Sequence, residues 1–162
     1  MKGWVFWFSV FLTPAIHTYA QTIDSLTRQI ESRKEVDSIR VDMLNGLASV
    51  YLSHSPDTVL MYAERAAFLA DSLNYNRGRA EAYKNRGVAH YLKGNLELGL
   101  TLLNEGLELA RQIEDYPLMA RLLHNVAGIY FTQENYGLSV EYLTQANDLA
   151  KVMAQSGKDL TA

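Results

Sequence analysis

Cysteine is absent from the 162 residues. That rules out a disulfide framework, thiolate metal ligands, a cysteine nucleophile and lipid attachment through sulfur. Proline is scarce: Pro14, Pro56 and Pro117 are the only three, and no Pro- or Ser-rich linker or low-complexity run divides the chain. Positive charge is also short. Fifteen Lys and Arg stand against 18 Asp and Glu, a formal net charge of −3, whereas a protein that grips phosphate backbones normally carries a basic stripe. No glycine-rich phosphate loop of the P-loop or dinucleotide type occurs, and no serine sits in a G-x-S-x-G elbow. Nucleic acid is therefore not an expected partner.

The histidines do not converge on a site. His17 lies in the apolar N-terminal stretch, and His54, His90 and His124 occupy unrelated positions further on, none with a His or carboxylate at the i+4 spacing of an H-E-x-x-H helix. Glu105 and Glu108 share a helix face, as surface carboxylates commonly do, and Glu141 is the same case. Nothing marks a cleft of convergent groups. The expectation is a protein that is not an enzyme and needs no metal or cofactor.

The first twenty residues differ from the rest. Lys2 is their one positive side chain, Trp4 to Ala15 is nearly all apolar, and Thr18-Tyr19-Ala20 puts small residues at the two positions a signal peptidase reads. Residues 1–20 thus read as a secretory signal with cleavage near Ala20, giving an exported, periplasmic or extracellular product. A retained anchor is the weaker reading, because a span needs about 20 apolar residues and Pro14 to His17 interrupt this run. No stable membrane span is expected after cleavage. About 140 residues then remain, one domain by size.

What fills those residues is repetition. Asn45, Asn85 and Asn125 are spaced by 40 residues, as are Tyr51, Tyr91 and Phe131, then Ser55, Asn95 and Asn135, then Leu69-Ala70, Leu109-Ala110 and Leu149-Ala150. Ala66, Gly106 and Ala146 keep one position small in every unit. A fixed period of this length marks a repeat array. Each unit reads as two helices: apolar residues recur at helical spacing through Asn85 to Lys93, break at Gly94-Asn95, and resume from Leu96. Ser55, Asn95 and Asn135 are expected to cap the second helices, and Pro56 and Pro117 suit first-turn positions.

The run Asn125-Val126-Ala127-Gly128-Ile129-Tyr130, followed by Asn135-Tyr136, Ser139 and Ala146, resembles the tetratricopeptide (TPR) repeat; Gly87, Gly99 and Gly106 fill the small positions of the middle unit. HEAT-like pairs also run about 40–47 residues, but the Asn-x-Gly-x-x-Tyr-like string favours the TPR, whose ordinary unit is about 34; the longer unit suggests extended second helices. The resemblance implies an all-α, right-handed α-solenoid of antiparallel helix pairs. Its parts would be an N-terminal capping helix (21–36), an array (37–154) of three repeats (37–76, 77–116 and 117–154) and a short C-terminal tail (155–162). It also implies a protein or peptide partner.

In similar arrays an Asn ladder on the inner face bonds the backbone of an extended peptide. Asn45, Asn85 and Asn125 would be that ladder, Tyr51, Tyr91 and Phe131 an apolar one beside it, and Lys84, Arg121 and His124 polar neighbours in the groove. The other reading has the Asn residues bonding the neighbouring repeat and the aromatics packing. Capture of a C-terminal carboxylate is not expected, because unit one offers only Val41 and Leu44 where cations would be needed. Two functional readings follow: an exported scaffold that binds a protein segment, or the extracytoplasmic input module, or a shortened form, of a TPR-containing bacterial sensor kinase or regulator. Leu138, Val140, Leu143, Leu149, Val152 and Met153 supply more apolar surface than one helix pair should bury. The last pair is therefore expected to stay uncapped, to be covered by self-association or a partner, unless a longer array continues it.

Overall fold

The computed structural model describes residues 23, 25, 27–30, 32, 33 and 35–159, with side chains through residue 155. The proposed signal, residues 1–20, and its cleavage site lie outside the described residues. The chain divides into two units, Met1–Glu35 and Val36–Ala162. In the first, the described residues between 23 and 32 are helical and Ile30 is buried. The second carries six helices among its described residues: α1 (Ser38–Tyr51), α2 (Pro56–Ser72), α3 (Asn76–Leu92), α4 (Leu96–Gln112), α5 (Tyr116–Thr132) and α6 (Tyr136–Asp159).

Four of these helices, α2 to α5, are 17 residues long, and each is followed by a three-residue turn. The 40-residue repeat is therefore two equal halves of 20, and the extra length over an ordinary unit is shared by both helices rather than given to the second. The turns explain the regularity. Asn74, Gly94, Glu114 and Glu134 take positive φ of 50°, 81°, 55° and 59°. At each one the next N–H reaches back to the carbonyl five residues earlier: Tyr75 to Ala70 (2.8 Å), Asn95 to His90 (2.9 Å), Asp115 to Ala110 (3.0 Å) and Asn135 to Tyr130 (2.9 Å). These are Schellman closures, which satisfy the orphan carbonyls of the ending helix.

Capping follows the sequence in part. The Ser55 hydroxyl accepts from the Thr58 N–H (3.3 Å) and Asn135 Oδ1 from the Leu138 N–H (3.3 Å). Asn95 makes no side-chain cap bond. Asp37 and Asp115 cap α1 and α5 instead, each through a 3.0 Å bond. The expected stop near Gln155 does not occur, since α6 runs on to Asp159, into the stretch read as a tail. At residue 154, where the 20-residue register calls for a left-handed turn residue, the sequence has Ala, the best helix former.

The pairs close on small residues. A Cβ built on Gly106 would lie 3.1 Å from the Ala80 carbonyl and 3.1 Å from Leu122 Cδ2, and one on Gly99 would lie 3.1 Å from the Gly87 carbonyl. Backbones meet there so closely that a Cβ would press its neighbours back by a few tenths of an ångström, which accounts for glycine's helix-propensity cost of about 1 kcal/mol being tolerated. Around these contacts Leu103, Leu118, Leu122, Val126 and Ile129 form a core with no exposed surface.

Candidate functional site

The first helices of the pairs, α1, α3 and α5, carry the three ladder asparagines, and their neighbours set three different fates. Asn45 is 5 % exposed, and its Nδ2 donates to the Gly78 carbonyl on α3 at 2.9 Å. Asn85 has no exposed surface; its Nδ2 donates back to the Asn45 carbonyl at 3.1 Å and its Oδ1 accepts from the Ser49 hydroxyl at 3.1 Å. Both amides are thus spent between repeats and are closed to a ligand. Asn125 is half-buried, lines a groove, and makes no side-chain hydrogen bond among the described residues.

That groove encloses about 760 Å³ and draws on all three pairs: Ser49 and Leu52 from the first, Lys84 and Val88 from α3, Ala120, Arg121, His124 and Asn125 from α5, and Leu143, Ala146 and Asn147 from α6. A smaller lobe of about 290 Å³ shares Ser49, Lys84 and Arg121 and adds Asp42, Arg77 and Glu81. Glu81 is the electrostatic centre. Largely buried, it accepts from Lys84 Nζ at 2.6 Å and from the Arg121 guanidinium at 2.5 Å. Burying a carboxylate there is tolerable because two cations hold it. Lys84 is itself buried, while Arg121 stays half-exposed and His124 exposed.

The aromatic ladder does not line this groove. Tyr51 stacks on Tyr62, Tyr91 places its hydroxyl 3.0 Å from that of Thr132, and Phe131, 62 % exposed, meets Tyr136 edge-on. All three sit at the ends of their helices, six residues beyond the asparagines, so the shared period aligned them with one another and not with the groove. His90 also lies elsewhere, half-buried on α3. Its Nδ1 has no partner, and burial, helped by Arg86 and Lys93 against Glu64, holds its imidazole below the ordinary value.

Groove residues that the repeat reading missed had a signal in two cases. Glu81 precedes the ladder Asn85 by one helical turn and has the oppositely charged Arg121 40 residues on, and Asn147 puts an amide where Ala67 and Leu107 stand. Among the described residues no group of three or more His, Asp or Glu could hold a metal ion, and no helix is long and apolar enough to cross a membrane.

An all-α solenoid of stacked helix pairs with a groove along its first helices belongs to the class of repeat scaffolds. Residues 78–151 match the family model described as tetratricopeptide repeat, and this stretch carries tetratricopeptide repeats. No protein of curated function matches the chain in sequence. A tetratricopeptide array is a protein–protein interaction scaffold, and that is the class of function this fold defines.

Proposed function

We propose that the chain is an exported scaffold that holds a segment of another protein in the groove formed by α1, α3, α5 and α6. One observation carries this reading: a single groove spans all three pairs and, unlike the buried interior of the stack, leaves polar groups (Arg121, His124 and the Asn125 amide) open to a ligand. Asn125 offers both a donor and an acceptor, which suits a peptide backbone whatever its side chains. Arg121 and His124 add a polar edge, while Leu52, Val88 and Leu143 give apolar surface for a partner to cover. Export rests on the apolar N-terminal run and the small residues before Gln21.

A photoreactive phenylalanine at His124 tests the site. It should form adducts with a partner in the exported fraction, and the same group at Glu108, exposed on α4, should not. Equal adducts at both positions, or adducts at Glu108 alone, would remove the groove from the account. N-terminal sequencing of the exported product should read from Gln21 or within a residue or two of it.

A further inference from the structure

We propose that the chain self-associates through the exposed face of α2, two copies packing antiparallel about a twofold axis between Glu64 and Arg65. None of the residues on this face lines the groove described above, and the inference does not depend on the groove reading.

The repeat supplies the comparison. Positions 61, 64, 65 and 68 follow i, i+3, i+4 and i+7 and so share one face of α2. All four are exposed, and so are the corresponding positions of α4, in the middle pair, so this face meets solvent inside the array and not only at an end of it. In α4 those positions hold Thr101, Asn104, Glu105 and Glu108, and in α6 Glu141, Thr144, Gln145 and Asp148, a polar and mostly acidic surface. In α2 they hold Met61, Glu64, Arg65 and Phe68. Met61 is 47 % exposed, and Phe68, at 78 %, is the most exposed large hydrophobic among the described residues. An aromatic ring on a face that the other two pairs keep polar marks a contact surface.

The order of the residues names the occupant. The stripe reads the same from either end: apolar, charged, charged, apolar. Antiparallel packing about its centre sets Met61 against Phe68 of the second copy and Glu64 against Arg65 of the second copy. Each contact occurs twice, as an isologous interface requires. Sulfur against an aromatic ring is a favourable contact, and both charges meet their opposites. Leu60 and Leu69, half-buried, flank the stripe in the same twofold relation.

The groups are free to do this. Neither Glu64 nor Arg65 makes a salt bridge among the described residues, and Arg65 lies over the Tyr62 ring, 5.9 Å from its centroid. Beside Phe68 a hollow of about 460 Å³, lined also by Arg40, Leu44 and Leu69, has room for the Met61 side chain of the second copy. The same operation on α4 would set Glu105 against Asn104 and Glu108 against Thr101, with neither an apolar contact nor an opposite charge. On α6 it would set Asp148 against Glu141. Only α2 is complementary to itself. One helix from each copy makes a small interface, below the roughly 1,200 Å² of stable complexes, so the dimer should dissociate on dilution.

Sedimentation equilibrium of the full chain, from low micromolar to millimolar concentration, should show a monomer–dimer equilibrium. Glu64→Arg sets Arg against Arg, and Arg65→Glu sets Glu against Glu. Each should weaken association at least about tenfold with the helical circular dichroism unchanged. Mixed together, the two variants should associate as the wild type does, because every Arg of one then meets a Glu of the other. Phe68→Glu should abolish association. The chain has no cysteine, so Met61→Cys and Phe68→Cys chains report the register: under oxidation, disulfides should join one variant to the other in preference to either variant to itself. A chain that stays monomeric at millimolar concentration overturns the inference, as does association indifferent to both charge reversals or a mixture that fails to recover it. Association lost with Leu143→Asp but kept with Phe68→Glu would place the contact on α6 and overturn it equally.

Discussion

Replacing Gly87 and Gly128 by Ala, one at a time, should move stability in opposite directions. Both glycines lie inside 17-residue first helices, α3 and α5, so the helix-propensity gain from Ala is the same at each, about 1 kcal/mol. Their surroundings differ. A Cβ on Gly87 would lie 2.8 Å from Leu103 Cγ and 3.1 Å from the carbonyl oxygen of Gly99, while on Gly128 it would meet nothing within 4 Å. Leu103 is fully buried and cannot swing clear, and the Gly99 carbonyl belongs to helix backbone, so the pair α3–α4 must spread. Overpacking of this kind costs about 1–3 kcal/mol, which leaves Gly87→Ala less stable by up to about 2 kcal/mol after the propensity gain. Gly128→Ala gains its 1 kcal/mol or so unopposed. For a domain of this size the two midpoints should part by roughly 4–12 °C in thermal denaturation followed by circular dichroism. Stabilisation by both substitutions would mean that the helix spacing is not set by glycine contacts, and the packing account given for the pairs would fail.

Glu114→Gly and Glu134→Gly should each stabilise the array by about 0.5–1 kcal/mol, because relief of left-handed strain of about 1–2 kcal/mol outweighs the extra freedom of an unfolded glycine; urea midpoints measure it. Asn85→Ala should cost about 2 kcal/mol through its lost inter-repeat bonds and cavity, while Asn125→Ala stays within about 0.5 kcal/mol of wild type and weakens partner binding. Equal losses of stability would mean that the third asparagine is bonded like the second. The His90 imidazole is held below its ordinary value, so below pH about 6.5 the unfolded chain takes up a proton that the folded one resists. Stability should therefore fall as pH drops from there toward the lowered folded value, and His90→Phe should flatten that part of a pH series of urea midpoints.

The period was legible because it is written in residues whose job is local. Small residues at helix crossings and breakers between helices recur at fixed intervals, and three of the four turn positions hold residues that are not glycine yet still adopt the left-handed conformation. The half-period of 20 was harder to see, since Asn74, Gly94, Glu114 and Glu134 share no side-chain chemistry, only backbone geometry. Gly128 occupies the recognisable Asn-Val-Ala-Gly run, yet the close contact in the array belongs to the Gly87 position, which in that unit is Ala127. Helix α6 runs on through Gly157, because a single helix-interior glycine costs only about 1 kcal/mol.

The asparagine ladder shows why a repeat position alone does not assign a function. Asn45, Asn85 and Asn125 are the same residue at the same register, and a sequence comparison cannot separate them. What separates them is the partner each amide finds. Between α1 and α3, the amide of Asn45 meets the Gly78 carbonyl and that of Asn85 returns to the Asn45 carbonyl, and removing either leaves a buried polar group unsatisfied. Asn125 has the same donor and acceptor but makes no side-chain hydrogen bond among the described residues, so its hydrogen-bonding capacity faces the groove. The Glu81 position behaves alike: in α3 the carboxylate is consumed by Lys84 and Arg121, whereas in α5 the Arg at that position keeps half of its surface exposed.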